Sequence, residues 1–157
     1  MKVFIVSGAV GTGKTTVAKA MSKYFNYKYV DVSKSIKENN LSEGYDHEKD
    51  CDIVDEFKLS NFLIKLIDSF EGDGLVIDSH MSHFISKEKV DLCIIAKCEL
   101  KVLRKRLEER GYSENKIKDN LEAEIFNVCF EEAKEQGHKI LLIETSHGTN
   151  KDIFAMI

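Results

Sequence analysis

Residues 4–21 read FIVSGAVGTGKTTVAKAM. Within them Gly8, Gly13, Lys14 and Thr15 satisfy the spacing G-x-x-x-x-G-K-[ST]. The flanks are those the motif needs. Lys2 to Ser7 (KVFIVS) reads as a buried strand, and from about Lys14 a helix carries Val17, Met21 and Tyr24 on one face. Strand, glycine turn and helix in that order build a phosphate cradle. The glycines allow backbone N–H groups to turn inward on a β-phosphate, and the helix N-terminus adds its dipole. Lys14 then reaches the β- and γ-phosphate oxygens, the Thr15 hydroxyl ligates Mg²⁺, and Thr16 helps hold the α-phosphate.

Outward from this stretch, apolar strand-like runs alternate with helical patterns. Further strands are expected near 27–31, at LVIDS (75–79), near 90–97 and at HKILLIET (138–145). Residues 32–40 form a short helix, and LSEGYDHEKD (41–50) an exposed loop. One long amphipathic helix is expected from about Asp52 to Phe70, with apolar residues at 53, 54, 57, 63, 64, 67 and 70. Another follows from Cys98 to Gly111. A third, capped by Ser113, runs to about Gln136 with Ile117, Leu121, Ile125 and Val128 facing inward, and TNKDIFAMI closes the chain as a short helix. Five buried strands alternating with helices make an α/β fold, the three-layer sandwich of P-loop NTPases around a five-stranded parallel sheet. The expectation is a single domain over residues 1–157.

The composition narrows the setting. The 157 residues carry a formal charge of −4, with 43% hydrophobic and 32% charged residues. That is enough apolar material for one core, and the acidic balance argues against broad electrostatic binding to nucleic acid. No apolar run reaches the ~20 residues a membrane span needs, so the expected location is the cytoplasm, without a membrane partner. Cysteines at 51, 93, 98 and 129 match no zinc or redox spacing. The chain contains no proline, and its only arginines are Arg104, Arg106 and Arg110.

A carboxylate at the end of a buried strand is needed to hold or orient the magnesium shell. Asp78, closing LVID, has that form, and Asp31 at the end of the second strand is the alternative. Two residues on, His80 would share the face of Asp78 if the strand persists; His83 has no such support. Arg106 and Arg110 are four apart on one helix face, where their forks can clamp a moving phosphoryl group, while Arg104 points elsewhere. The competing reading is a solvated face paired with Glu108 and Glu109.

At this point a family resemblance emerges. GTGKTT (11–16), VDVS (30–33), LSEGYD (41–46), VIDSH (76–80) and RLEERGYSENKIKDNLEAEIF (106–126) resemble the adenylate-kinase-like NTPases of archaea and eukaryotes, the adenylate kinase isoenzyme six type, over nearly the whole chain. The resemblance implies a nucleoside-monophosphate-kinase fold with a monophosphate-binding segment at about 31–54 and a short lid at about 109–119. It implies ATP and Mg²⁺ as cofactors, transfer of phosphate from ATP to AMP, and ATP hydrolysis. It further implies work in small-ribosomal-subunit maturation beside a basic small-subunit ribosomal protein, with precursor rRNA engaged indirectly. Carried over by position, Gly11, Gly13, Lys14, Thr15, Thr16 and Arg110 would contact ATP, and Asp78 and His80 would serve hydrolysis. The chain departs from the family at MSHFISKEKV (81–90), which lacks its proline and tryptophan.

Residues 38–56 bear on which activity dominates. Glu38, Glu43, Asp46, Glu48, Asp50, Asp52, Asp55 and Glu56 face a single lysine and no arginine there. Such a field should repel AMP and attract a basic protein surface. Three readings follow: a nucleotide kinase, an ATP-hydrolysing assembly factor with weak AMP kinase activity, and, last, a small-metabolite kinase. The chain has no Asn-Lys-x-Asp motif for guanine.

Overall fold

A computed structural model describes residues 1–49 and 51–157. Strands β1 (Lys2–Ser7), β2 (Lys28–Asp31), β5 (Gly74–Asp78), β6 (Leu92–Lys97) and β7 (Ile140–Glu144) form one parallel sheet in the order β2-β5-β1-β6-β7. Strands β3 (Ser42–Asp46) and β4 (Cys51–Val54) pair separately as an antiparallel hairpin. The helices are α1 (Lys14–Phe25), α2 (Val32–Glu38), α3 (Glu56–Ser69), α4 (Leu100–Glu109), α5 (Glu114–Ile125) and α6 (Val128–Glu135), with 3-10 turns at Ser82–Phe84, Lys87–Lys89 and Lys151–Met156.

Period-two alternation divides the core. Val3 and Ile5 of β1 pack, with Leu75, Ile77 and Ile95, against Leu59, Leu63 and Ile67 of α3. Phe4 and Val6 pack on the opposite face, with Val76 and Ile94, against Val17, Ala18 and Met21 of α1. The central strand is therefore apolar at consecutive positions because both its faces are covered. A third cluster, Cys98, Leu103, Leu107 and Ile117, lies between α4 and α5. Successive connections leave β1 in opposite directions, toward β2 and β5 on one side and β6 and β7 on the other. The crevice above the C-terminal end of β1 is the topological switch point where ligands bind in open α/β sheets.

Three expectations change. The loop expected at 41–50 is largely a hairpin: Asp46 Oδ1 accepts from the Glu48 and Lys49 amides and starts its turn, and Lys58 ion-pairs with Glu43 to tie it to α3. Residues 51–54 are spent on that pairing, so α3 begins only at Glu56, capped by Asp55, whose Oδ1 lies 2.7 Å from the Lys58 amide. Phe57 is accordingly 75% exposed, and Leu59 takes the core position instead. The long helix expected from Ser113 breaks at Asn127, which adopts φ 52°, and Ile125 faces solvent. Lys97 at the end of β6 explains the break, donating to Asn127 Oδ1 at 2.6 Å and pairing with Glu124 at 2.6 Å. Asp50, one of the eight carboxylates, lies outside the described residues.

Candidate active site

The glycine loop closes over the end of β1. Gly8 has φ 142°, and a Cβ there would sit 2.6 Å from the Ala96 carbonyl oxygen. Any side chain would therefore push β1 from β6. Gly13, at φ 88°, turns the chain into α1. Among the described residues no side chain caps α1, whereas Asp31, Asp55 and Ser113 cap α2, α3 and α5. Its first N–H groups face the crevice unpaired by side chains, the arrangement that receives an anion.

Three other elements hold the loop from outside. Thr145, following β7, donates from Oγ1 to the Thr12 carbonyl at 2.5 Å. Arg106 of α4 donates to the Thr145 carbonyl at 2.7 Å, to Thr145 Oγ1 at 3.2 Å and to the Gly11 carbonyl at 3.4 Å. Asn120 of α5 accepts from the Val10 amide at 3.2 Å. The guanidinium of Arg106 is thus turned into the protein, behind the loop. Arg110 is exposed, has no ion pair among the described residues, and lies close enough to Lys14 for its charge to act on the ammonium. Arg104 pairs with Glu108 and Glu114.

Inside the loop, Lys14 Nζ lies 3.4 Å from the Ala9 carbonyl oxygen. Burial pushes the Lys14 pKa down, Arg110 adds to that, and the carboxylate of Asp78 opposes it. Asp78 ends β5, with Oδ2 accepting from Thr15 Oγ1 at 2.6 Å and from the Tyr29 hydroxyl at 2.8 Å. Burial, followed by this hydrogen bond to Asp78, raises the Tyr29 pKa. A hydroxyl and a carboxylate side by side are hard oxygen donors of the kind magnesium takes. Among the described residues no cluster of three His, Cys, Asp or Glu could hold a metal unaided. Thr15 and Asp78 are the residues whose donors fit such an ion.

Strand β5 ends at Asp78, so His80 reaches the site from a turn rather than along the strand. Its ring makes no hydrogen bond among the described residues and borders a cavity of about 300 Å³ with Ala9, Glu56, Asn120 and Glu132. His80 is exposed to solvent at its outer edge, yet crowding by protein atoms around the ring, then the Lys14 ammonium, lowers its pKa to about 4. The imidazole is neutral at pH 7. Thr16 is exposed at the start of α1.

Sequence reasoning passed over His83, and the structure places it beneath the loop. It is 1% exposed, with Nδ1 2.8 Å from Ser7 Oγ and Nε2 2.9 Å from Glu132 Oε2. Burial, then the charge of His138, lowers its pKa to about 4. A neutral ring protonated on Nε2 donates to Glu132 and accepts from Ser7, locking the His80 turn to β1 and α6. His83→Ala is expected to cost about 2–3 kcal/mol, since it opens a void and leaves Ser7 buried without this partner. Because the folded pKa lies below the ordinary 6.5, the unfolded chain binds more protons between pH 4 and 6.5. Stability should therefore fall as pH drops through that window. In His83→Ala that slope should be shallower, a difference that denaturant melts at pH 4.5 and 7 will resolve.

With this geometry in place, comparisons with known proteins become decisive. A family model described as AAA domain matches residues 5–127. A Caenorhabditis elegans protein named adenylate kinase isoenzyme 6 homolog is 35% identical over 149 residues, 95% of this chain and 81% of that protein. The chain belongs to the adenylate kinase isoenzyme 6 family. A Schizosaccharomyces pombe protein of the same name is 36% identical over 140 residues, 89% of this chain and 78% of its own length. Solved structures show the same fold at lower identity. A shikimate kinase from Acinetobacter baumannii superposes with TM-score 0.66 at 13% identity, covering 99% of this chain and 90% of that one. A Thermus thermophilus protein gives 0.56 at 13% identity, covering 99% and 92%. The isoenzyme 6 family thus has here a P-loop kinase fold with its phosphate loop held from α4, α5 and the end of β7. Among the described residues no helix is long and apolar enough to cross a membrane.

Proposed function

We propose that this chain is an ATP-dependent phosphotransferase of the adenylate kinase type, moving the γ-phosphoryl group of ATP to AMP or another nucleoside monophosphate, and that the same site hydrolyses ATP. The observation carrying this reading is the convergence under one glycine loop of an uncapped helix, Lys14 and the Thr15–Asp78 pair, in a chain whose relatives bear the name adenylate kinase. The whole chain is read as one kinase domain, with 31–54 as the acceptor side and 109–119 as the lid.

In transfer, an acceptor phosphate oxygen attacks the γ-phosphorus in line, and the bond to the bridging oxygen breaks, leaving its electron pair on ADP. The nucleophile is already anionic and needs no general base. Lys14 leaves the Ala9 carbonyl for the β- and γ-phosphate oxygens, and Gly8, Gly11 and Gly13 shape the amides around them. Thr16 meets the α-phosphate, and Arg110 brings a cation from the lid. Arg106 acts through the loop it braces. Thr15 and Asp78 would hold a magnesium ion, which would supply charge neutralisation at the phosphate oxygens.

A second reading is favoured by the acidic acceptor side. The cavity against the loop is lined by Glu56 and Glu132 and, among the described residues, by no lysine or arginine. Ordinary clamping of an acceptor phosphate needs such cations. This supports an ATP-hydrolysing factor in small-subunit maturation, acting in the cytoplasm beside a basic ribosomal protein and touching precursor rRNA only through it. Neutral His80 then accepts a hydrogen bond from the attacking water and orients it.

ATP turnover by the wild type and His80→Ala, with and without AMP, tests both. The expected result is conversion of AMP to ADP kept within about threefold in the variant, with hydrolysis reduced about 100-fold. A wild type that ignores AMP and responds only to a basic ribosomal protein would transfer the assignment to the second reading. Equal loss of both activities would remove His80 from water.

A further inference from the structure

Asn120 lies on α5, 110 residues from the loop apex it touches. Its Oδ1 accepts from the Val10 amide at 3.2 Å, and its Nδ2 donates to the Lys116 carbonyl at 2.8 Å. The two partners fix the carboxamide's orientation: the opposite placement would set donor against donor and acceptor against acceptor. Val10 also packs against the cluster of Leu103, Leu107 and Ile117, so the apex is joined to the α4–α5 pair by both its side chain and its amide. The same carboxamide borders the cavity that holds Ala9 and His80. Lys14 begins from Ala9 and must swing into the phosphates from there.

We infer that Asn120 is a positioning residue for the triphosphate: acting through Val10, it holds the loop apex concave and makes α5 part of the phosphate cradle. This rests on the phosphotransfer reading. Two properties of the side chain matter, and they are separable. Its oxygen satisfies a loop amide that would otherwise be free to turn. Its neutrality keeps a negative charge away from the cavity beside the phosphates. Both variants give up the Nδ2 bond to the Lys116 carbonyl; beyond that, aspartate retains the first property and destroys the second, whereas alanine loses the first and adds no charge.

The test is calorimetric binding of Mg·ATP and Mg·ADP at pH 7 to the wild type, Asn120→Ala and Asn120→Asp, with melting curves on each. Asn120→Ala should weaken Mg·ATP about tenfold, the loss expected from one hydrogen bond. Asn120→Asp should weaken it about 100-fold, and Mg·ADP less, because the added charge faces the third phosphate. Val10 amide exchange should speed up in Asn120→Ala and remain slow in Asn120→Asp. A merely structural contact predicts the reverse affinity order, with aspartate better than alanine. That order, or wild-type affinity in either folded variant, overturns the assignment. Asn120→Ser, too short to reach Val10, replaces alanine if that variant does not fold. A wild type that binds no Mg·ATP overturns the phosphotransfer reading and this one together; a wild type that binds, with aspartate at or above alanine, overturns this one alone.

Discussion

Replacing Lys14 with methionine is expected to lower kcat/KM for ATP by about 1,000-fold or more while leaving the protein as stable as before, or more so. The loss follows from position. Lys14 is the cation that begins on the Ala9 carbonyl inside the loop and can follow the charge that develops on the leaving phosphate. Arg110 lies nearer the surface and cannot replace it. The stability effect follows from the cause of its lowered pKa. Burial disfavours the ammonium, and the charge of Arg110 adds to the cost. Since the folded pKa lies below the ordinary 10.5, the unfolded chain binds more protons between the two values, and wild-type stability rises with pH there. Methionine keeps the volume and removes the charge. At pH 7 the variant should melt higher, by about 2–4 °C for each kcal/mol of strain removed, and the advantage should shrink as pH rises from the lowered folded pKa toward the ordinary 10.5. A variant that melts lower at pH 7 would show that the empty loop gains stability from Lys14 through its contacts with Ala9 and Asp78.

This coexistence of strain and function marks what was legible in the sequence. Gly8, Gly13, Lys14 and Thr15 announce themselves because their spacing encodes one turn, and Asp78 because a carboxylate ending an apolar run has few other uses. The parallel sheet is visible for the same local reason: strands covered on both faces read as unbroken apolar runs. The hairpin was not visible, because Ser42–Asp46 gains its structure from Cys51–Val54 rather than from its own periodicity. The break at Asn127 was hidden for a similar reason, since Lys97, thirty residues earlier, creates it. Arg106 and Arg110 look alike on a helical wheel. Only the arrival of Thr145 from β7 distinguishes the arginine that braces the loop from the one that faces outward. His83 carried no signal, because its partners Ser7 and Glu132 lie 76 and 49 positions away.

The loop is therefore not a self-sufficient motif. Its glycines permit the concave backbone, but Thr145, Arg106 and Asn120 hold it, and they come from three elements that the topology gathers beside β1. Two of the three sit on the α4–α5 pair, whose junction is the segment proposed above as the lid. Any movement of that pair on nucleotide binding would act on the cradle itself, so lid position and phosphate affinity should be coupled by construction.

Asp78→Asn should have the second large effect, reducing turnover by about 100- to 1,000-fold at saturating ATP and raising the Mg²⁺ concentration needed for half-maximal rate. Asparagine can still accept from Thr15 and Tyr29, so the fold of the pocket survives while its charge does not. Tyr29→Phe separates these contributions. It removes one hydrogen bond to Asp78 without touching the charge, and should cost no more than about tenfold. A further consequence reaches Lys14. Asp78, ahead of Cys129, is the main group that holds the Lys14 pKa up against burial and Arg110, so its neutralisation lets that pKa fall further. The ammonium should then be lost at lower pH than in the wild type, and with rising pH the ATP affinity of Asp78→Asn should begin to decline earlier than that of the wild type. Binding titrations across pH 6–9 at saturating Mg²⁺ would reveal it. A parallel decline in both proteins would place the titrating group elsewhere and leave Asp78 a magnesium residue alone.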